Sequence, residues 1–505
     1  MRTVQTDVLV IGGGLAGMCA AREAAKSCRV TLLADGGGAS PYIHGINIPL
    51  ATEDSVDCFI ADTMKSGRQQ SQKALVEKLC GESLALVDEL PFDRTKDGYA
   101  LLKPLGSTHP RVAGIQGRTG VYILKEIEKN RKFDILRHTR AMELIKKDNS
   151  VVGARCFDTR KKLWFSITAK AVVLACGGFG GIFPFSTNSV DIGGDGIAMA
   201  YDAGAELCDM EFIQFEPTVA VAPKEIQGKS IITTMLYEGA VIRNKDGNRF
   251  MDEHVDKDVL SRGIWQEIKN GGGTENGGVY FDMTGVGKEM LCSKYPDYYK
   301  RYSDVCIDIA KTPVEIAPGA HTTMGGVCIN TKCETTVNGL FACGEVAGGL
   351  HGANRLGGNA GLEVLIFGKT AGVSAGAYAQ AKPLPDAIEE TADDVLFEDT
   401  ELCMRLKAAV ALGLNVTRNE TDSKEALIEI QKILKVTADK QNCFTEKRIR
   451  NDALTAYIAL SCAIERRETV GSHVREDEKN NESPTYTLFV NQEEGRMKVE
   501  KRLHK

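Results

Sequence analysis

Long apolar runs are missing from this chain: none approaches the ~20 residues that a bilayer-spanning helix needs. Nothing precedes the first strand that could serve as a signal peptide, so the expected location is the cytoplasm. Fifteen cysteines include no Cys-x-x-Cys pair. Cys328 and Cys333 come nearest, without a matching second pair, so reduced and mostly buried thiols are expected, with no disulfide framework and no metal site. A basic excess is lacking too. The formal charge of −6 argues against nucleic acid as a partner. The basic end, RMKVEKRLHK, is short and reads as a solvated tail. Glycine, in contrast, is abundant, at 52 of 505 residues, beside an ordinary 43% hydrophobic and 26% charged content. Such a length suggests several domains and ample core.

The glycines are concentrated in motifs. Thr6 to Ala25, TDVLVIGGGLAGMCAAREAA, reads as strand, turn and helix. Val8 to Ile11 has the continuous apolar character of a buried parallel strand. Gly12, Gly14 and Gly17 form G-x-G-x-x-G: the first permits a tight turn, the second lets backbone approach a pyrophosphate, the third lets helix pack on strand. The helix from about Leu15 through Ala16 to Lys26 aims its amides and positive dipole end at the phosphates. A second strand, Val30 to Leu33, follows at the right distance. The acidic residue expected after it should fall near Ala34. Asp35 comes next, and either reaches a ribose or merely starts a loop.

Far downstream a second set appears. Ala171 to Cys176 is another buried-strand run, ending in Gly177, Gly178 and GGFGG. Leu340 to Cys343 is a short strand, Gly344 turns the chain, and Glu345 can accept hydrogen bonds from ribityl hydroxyls. After Gly358 a helix beginning near Asn359 would point its N-terminus at a flavin pyrimidine and stabilise negative charge there. Glycine cradles at opposite ends of the chain imply one FAD-binding domain with something inserted.

The segments IGGGLAG, ACGGFGG, AHTTMGG and GLFACGEVAGGLHGANRLGGN resemble the flavoprotein family of succinate dehydrogenase, fumarate reductase and L-aspartate oxidase. RRETVGSHVRED continues the resemblance weakly, and GGDGIAMAYDAG looks like the family's GDG-containing helix start at Asp195. The fold so implied is α/β: a Rossmann-like FAD-binding domain over 1–221 and 319–385, interrupted by an α+β capping domain over 222–318. A C-terminal helical bundle follows over 386–470, and a terminal tail or hairpin over 471–505. The residues agree: DVLFEDTELCMRLKAAVALGL and SKEALIEIQKILKVTADKQ carry apolar residues at three- and four-residue spacing, and YTLFV alternates.

The resemblance also implies site residues. Ser40, His44, Gly45, Ala175, Asn354, Arg355, Ala360 and Leu362 join the glycines and acidic residues above as FAD contacts. Relatives with covalent flavin use a histidine where ASPYIHG here offers Ala39 or Ser40, so non-covalent FAD is expected. Family members pass hydride between flavin N5 and a carbon flanking a carboxylate, helped by a histidine and arginine clamp and a proton-moving arginine. His321, Thr323 and Arg355 match the clamp. Two positions depart. QFEPT puts Glu216 where a clamp histidine stands, and DKDVLSR puts Lys257 at the proton-moving arginine, with Arg262 five residues on. The Thr-Glu pair for a second carboxylate is not evident in ITTMLYEGA. Glu216 against a substrate carboxylate would be costly if desolvated, so either Glu216 is turned away or the substrate offers an amine, a hydroxyl or no second carboxylate. The expected substrate is a small carboxylate-bearing molecule other than fumarate or succinate.

The reading is an FAD-dependent oxidoreductase. It is a desaturase or ene-reductase, an amine oxidase of the L-aspartate oxidase type, or a flavoprotein subunit that serves an iron–sulfur partner, since this chain lacks cluster-type cysteine spacing. A scaffold with a decayed site is the alternative from a different class. A second G-x-G-x-x-G for nicotinamide is absent.

Overall fold

The computed structural model describes residues 4–36, 38–388, 391–393, 400–438, 443–478 and 485–504. Its main sheet carries a parallel run in the order Asp134–Arg137, Val30–Ala34, Val4–Ile11, Leu163–Leu174, Leu340–Ala342. Val8, Leu9, Val10 and Val172 to Leu174 are fully buried, which is why these strands read as unbroken apolar runs. Leu163–Leu174 is long enough for two tasks. Its second half pairs in parallel, while its first half pairs antiparallel with Ser150–Asp158, which in turn pairs with Thr139–Lys147.

The register sets up the site. Ile11 lies opposite Leu174, and Leu174 opposite Ala342. The Ala175 amide donates to the Ile11 carbonyl at 2.8 Å and the Cys343 amide to the Leu174 carbonyl at 3.0 Å. Three strands therefore end level, and the glycine turns after them emerge together at the carboxyl edge of the sheet, where such folds bind ligands. The helices Leu15–Ala24 and Asn359–Gln380 start from this edge and pack lengthwise against each other.

A separate antiparallel sheet joins Ile213–Ala220, Val314–Thr323, Val279–Asp282 and Val241–Arg243 over its own core of Leu236, Ile264, Phe281, Tyr302 and neighbours. Lys257–Glu267 packs on Ile213–Ala220, with Ser261 Oγ donating to the Phe215 carbonyl at 2.9 Å. Three helices, Thr400–Gly413, Glu420–Val436 and Phe444–Glu465, form the C-terminal region. The helical pattern anticipated from Asp394 to Asp399 lies outside the described residues. Tyr486–Glu493 and Arg496–Leu503 make an antiparallel hairpin.

A buried polar cluster ties this region to the rest. Arg466 Nε donates to Glu211 Oε1 at 2.6 Å, and Arg418 Nη1 donates to the Glu211 carbonyl at 2.7 Å and to His473 Nδ1 at 2.8 Å. His473 Nε2 donates to the Arg466 carbonyl at 2.9 Å, so the ring is neutral. Burial, with Arg418 and Arg466 beside it, holds the imidazole well below its usual value. The unfolded chain then binds the proton first, so stability is full above the unfolded value near ~6.5 and falls as pH drops below it. Urea unfolding between pH 8 and 5 should show a loss steepening toward roughly 1 kcal/mol per pH unit, a component that His473→Gln removes. Equal slopes in both proteins would refute this.

Candidate functional site

The three glycine turns floor a cleft that the second sheet and its helices roof. About 2480 Å³ of space lies between its walls, part of it open to solvent. Gly12 takes φ 121° and an added Cβ would overlap the Ala175 carbonyl; one at Gly17 would overlap the Gly12 carbonyl. These are the tight turn and the close helix approach that a pyrophosphate cradle requires. At Gly14 the nearest atom to an added Cβ is Ser40 Oγ, at 3.2 Å, so the start of Leu15–Ala24 stays open to a ligand. Ser40 Oγ accepts from the Leu15 amide at 2.8 Å. Across the cleft, Gly357, Gly358, Ala360 and Gly361 present the N-terminus of Asn359–Gln380. Two helix N-termini facing one cleft suit phosphates at one end and an electron-rich ring at the other, so the residues fit FAD.

Gly12, Gly14, Leu15, Ala16, Asp35, Ser40, His44, Gly45, Ala175, Gly177, Asp195, Gly344, Glu345, Arg355, Gly358 and Ala360 all line the cleft. Asp35 Oδ1 accepts from Thr159 Oγ1 at 3.1 Å, and His44 Nδ1 donates to the Gly117 carbonyl at 3.1 Å. Seven expected contacts do not line it. Gly17 is spent on helix packing, and Ala34 lies beneath Gly13, whose added Cβ would meet its methyl at 2.7 Å. Gly178 backs onto Thr323 and Glu345. Thr323 gives its amide (3.0 Å) and hydroxyl (3.3 Å) to Glu345 Oε1. Asn354 is held by Gln214 and Ser66, and Asn359 by Asn47 and Thr63. Leu362 is in the core.

Glu216, Lys257, His321 and Arg355 converge. Lys257 Nζ donates to Glu216 Oε2 in a close ion pair, and His321 Nε2 stands 3.8 Å from the same oxygen. Burial pushes the Glu216 carboxyl up, but the Lys257 ammonium beside it, together with Arg355, holds it below the usual carboxylate range. Burial pushes the His321 imidazole down to about 3, so it is neutral at ordinary pH. Its Nδ1 is 2.7 Å from Thr187 Oγ1, which fixes the ring. Arg355 is 6% exposed, and its Nε has no protein partner among the described residues. Among the described residues, Nη1 reaches only the Leu356 carbonyl, at 3.4 Å. Gln214 Nε2 clamps the Arg355 carbonyl at 2.8 Å. Burial pushes the Glu345 carboxyl up.

Lys257 is positioned by a residue from a distant segment of the chain. Arg68 donates to both oxygens of Asp258, at 2.8 and 2.7 Å, and pairs with Asp256 at 2.9 Å, gripping the residues on either side of Lys257. Arg262 does not line the cleft, but Thr233 and Thr234 do. Tyr298, Arg301, Thr187 and Arg140 also line it and were not anticipated. Arg140 Nε donates to Asp195 Oδ2 at 2.8 Å. YYKRYSD carries no local signal that would mark Arg301 as a cleft residue.

The sequence model of the FAD binding domain family matches residues 7–360. An uncharacterized FAD-dependent oxidoreductase of Methanocaldococcus jannaschii is 35% identical, covering 94% of this chain and 94% of its own. A subunit of the fumarate reductase (CoM/CoB) of Methanothermobacter marburgensis is 33% identical, covering 94% of each. The structure of Mycobacterium smegmatis Sdh1 superposes with a TM-score of 0.87 at 28% identity, over 100% of this chain and 95% of that one.

Proposed function

Since the chain belongs to the FAD-dependent oxidoreductase family of fumarate reductase, succinate dehydrogenase and L-aspartate oxidase, we propose that it dehydrogenates or reduces a small carboxylate-bearing substrate at a site altered from the fumarate reductase pattern. FAD is the cofactor, and when bound it supplies the two-electron, hydride-transferring chemistry. We take it to be non-covalent, because His44 is turned to the Gly117 carbonyl.

The observation that carries the reading is Arg355: a buried guanidinium with its Nε free of protein partners among the described residues, facing the same cleft as the glycine turns. Its planar fork suits a substrate carboxylate, bound through parallel hydrogen bonds that fix orientation. Neutral His321, oriented by Thr187, adds a hydrogen bond without adding charge. Lys257 carries a proton at Nζ within the cleft, and Glu216 holds the ammonium there. Gln214 and Arg68 position Arg355 and Lys257 respectively.

Glu216 is already partnered, which removes the ammonium-binding role it would have in an amine oxidase and relieves the clash with a substrate carboxylate. The Methanothermobacter relative is named as one subunit of its enzyme, which supports an electron-transfer partner. Iron–sulfur chemistry suits that role, because this chain has no cluster-type cysteine spacing. The test is anaerobic reoxidation of the reduced holoenzyme by a panel of small unsaturated carboxylates, with acid precipitation to see where the yellow colour goes. Reoxidation by an unsaturated carboxylate and a colourless pellet are expected; failure of every carboxylate in both reaction directions would refute the assignment.

A further inference from the structure

Arg301 stands on the helix Pro296–Ser303 and lines the roof of the cleft. Its Nη1 donates to the Ser230 carbonyl at 2.8 Å, and its guanidinium lies over the Tyr298 ring, 5.0 Å from the centroid. No carboxylate pairs with it among the described residues, in contrast to Arg68, Arg111 and Arg140, each of which meets aspartate. An arginine that is stacked, tethered at one amino group and without other protein partners among the described residues is preorganised for an anion, since little rotamer freedom remains to be lost on binding. Lys229, next to the Ser230 tether, lines the same wall with its Nζ 5.7 Å from the Tyr42 ring centroid, and it too lacks a carboxylate partner among the described residues. Burial keeps the Tyr298 phenol protonated, with Arg301 and Glu216 both within electrostatic reach.

The cations of this cleft thus divide. Arg355 forms no ion pair among the described residues but lies in the field of Glu216, Glu345 and Glu363. Lys257 is spent on Glu216. Arg301 and Lys229 remain uncompensated. We propose that Arg301, assisted by Lys229, is a second anion subsite, taking a carboxylate on an arm of the substrate that extends past the Glu216–Lys257 pair toward the roof. The proposal rests on the reading that Arg355 takes the first carboxylate. It makes the substrate a two-ended acid whose far end is read by the roof and not by the residues around Glu216.

The holoenzyme, loaded with FAD, is titrated with succinate, glutarate, adipate and hexanoate while the flavin difference spectrum is followed. Arg301→Gln should weaken the tightest diacid about ten- to a hundredfold and leave hexanoate within about twofold, the range expected for losing a charged hydrogen bond. Arg301→Lys should recover part of the loss, and Lys229→Gln should show a smaller loss of the same kind. FAD content and thermal midpoint should not move. Equal weakening of diacids and hexanoate, loss of FAD instead of diacid, or no change at all would overturn the subsite. If Arg355→Gln weakens every acid while Arg301→Gln does not discriminate, only the subsite falls. If Arg355→Gln changes nothing, or the unaltered enzyme binds none of the acids, the reading beneath it falls as well.

Discussion

Arg355→Gln is expected to lower turnover by about two to three orders of magnitude, the usual cost of removing one preorganised donor from a developing charge, while the protein keeps its FAD. Retention of cofactor follows from geometry. The backbone of Arg355 is clamped through its carbonyl by Gln214, a contact the substitution leaves intact, and the glycine turns are untouched. Arg355→Lys should recover only part of the activity, because a point charge replaces a fork that can hold a carboxylate in one plane. The check is anaerobic turnover normalised to bound flavin. Unchanged turnover in Arg355→Gln would place the chemistry elsewhere.

Lys257→Met should be costly in a different way. The ion pair with Glu216 is buried, with side-chain exposures of 14% and 5%. Removing one partner of such a pair leaves an uncompensated carboxylate and costs about 3–5 kcal/mol. The pH dependence should also reverse. In the intact protein the Glu216 carboxyl is held low, so the pair contributes stability above the unfolded carboxyl value and loses it as pH falls. In Lys257→Met, burial without the ammonium pushes that carboxyl up, so stability is lost as pH rises through the carboxyl range. Pairing the change with Glu216→Gln should return most of the stability and none of the turnover, because the buried charge is gone but so is the proton on Nζ. Denaturant unfolding of the two single variants and the double variant, at two pH values, measures the coupling. Additive single effects would show that the two side chains do not act as a pair.

What could be read along the chain, and what could not, divides by the range of the interactions. The G-x-G-x-x-G turn declared itself because each glycine answers a demand made within a few residues or by the next strand: Gly12 by its φ and the Ala175 carbonyl, Gly17 by the Gly12 carbonyl. The buried strands did so because apolar runs reflect cover on both faces. Individual contacts inside the motifs were less legible. Thr323 sits in a motif beside His321 yet is turned to Glu345, and Asn354 and Asn359 support the cleft from behind. Membership of a segment does not say which way a side chain faces when the segment is buried on both sides. Arg301 left no trace at all, since a basic residue on a short charged helix looks the same whether it meets solvent or a ligand.

By itself, the sequence determined that this chain folds around FAD, because backbone turns and helix starts are dictated by steric demands between near neighbours. The tertiary structure alone decided the charge balance of the proposed substrate site. Glu216 and Lys257 each looked like damage to a known pattern, and they cancel one another only because a strand and a helix start from separate segments meet over the cleft. Coulomb attraction and desolvation depend on distance and burial in space, and neither is written in the order of the residues.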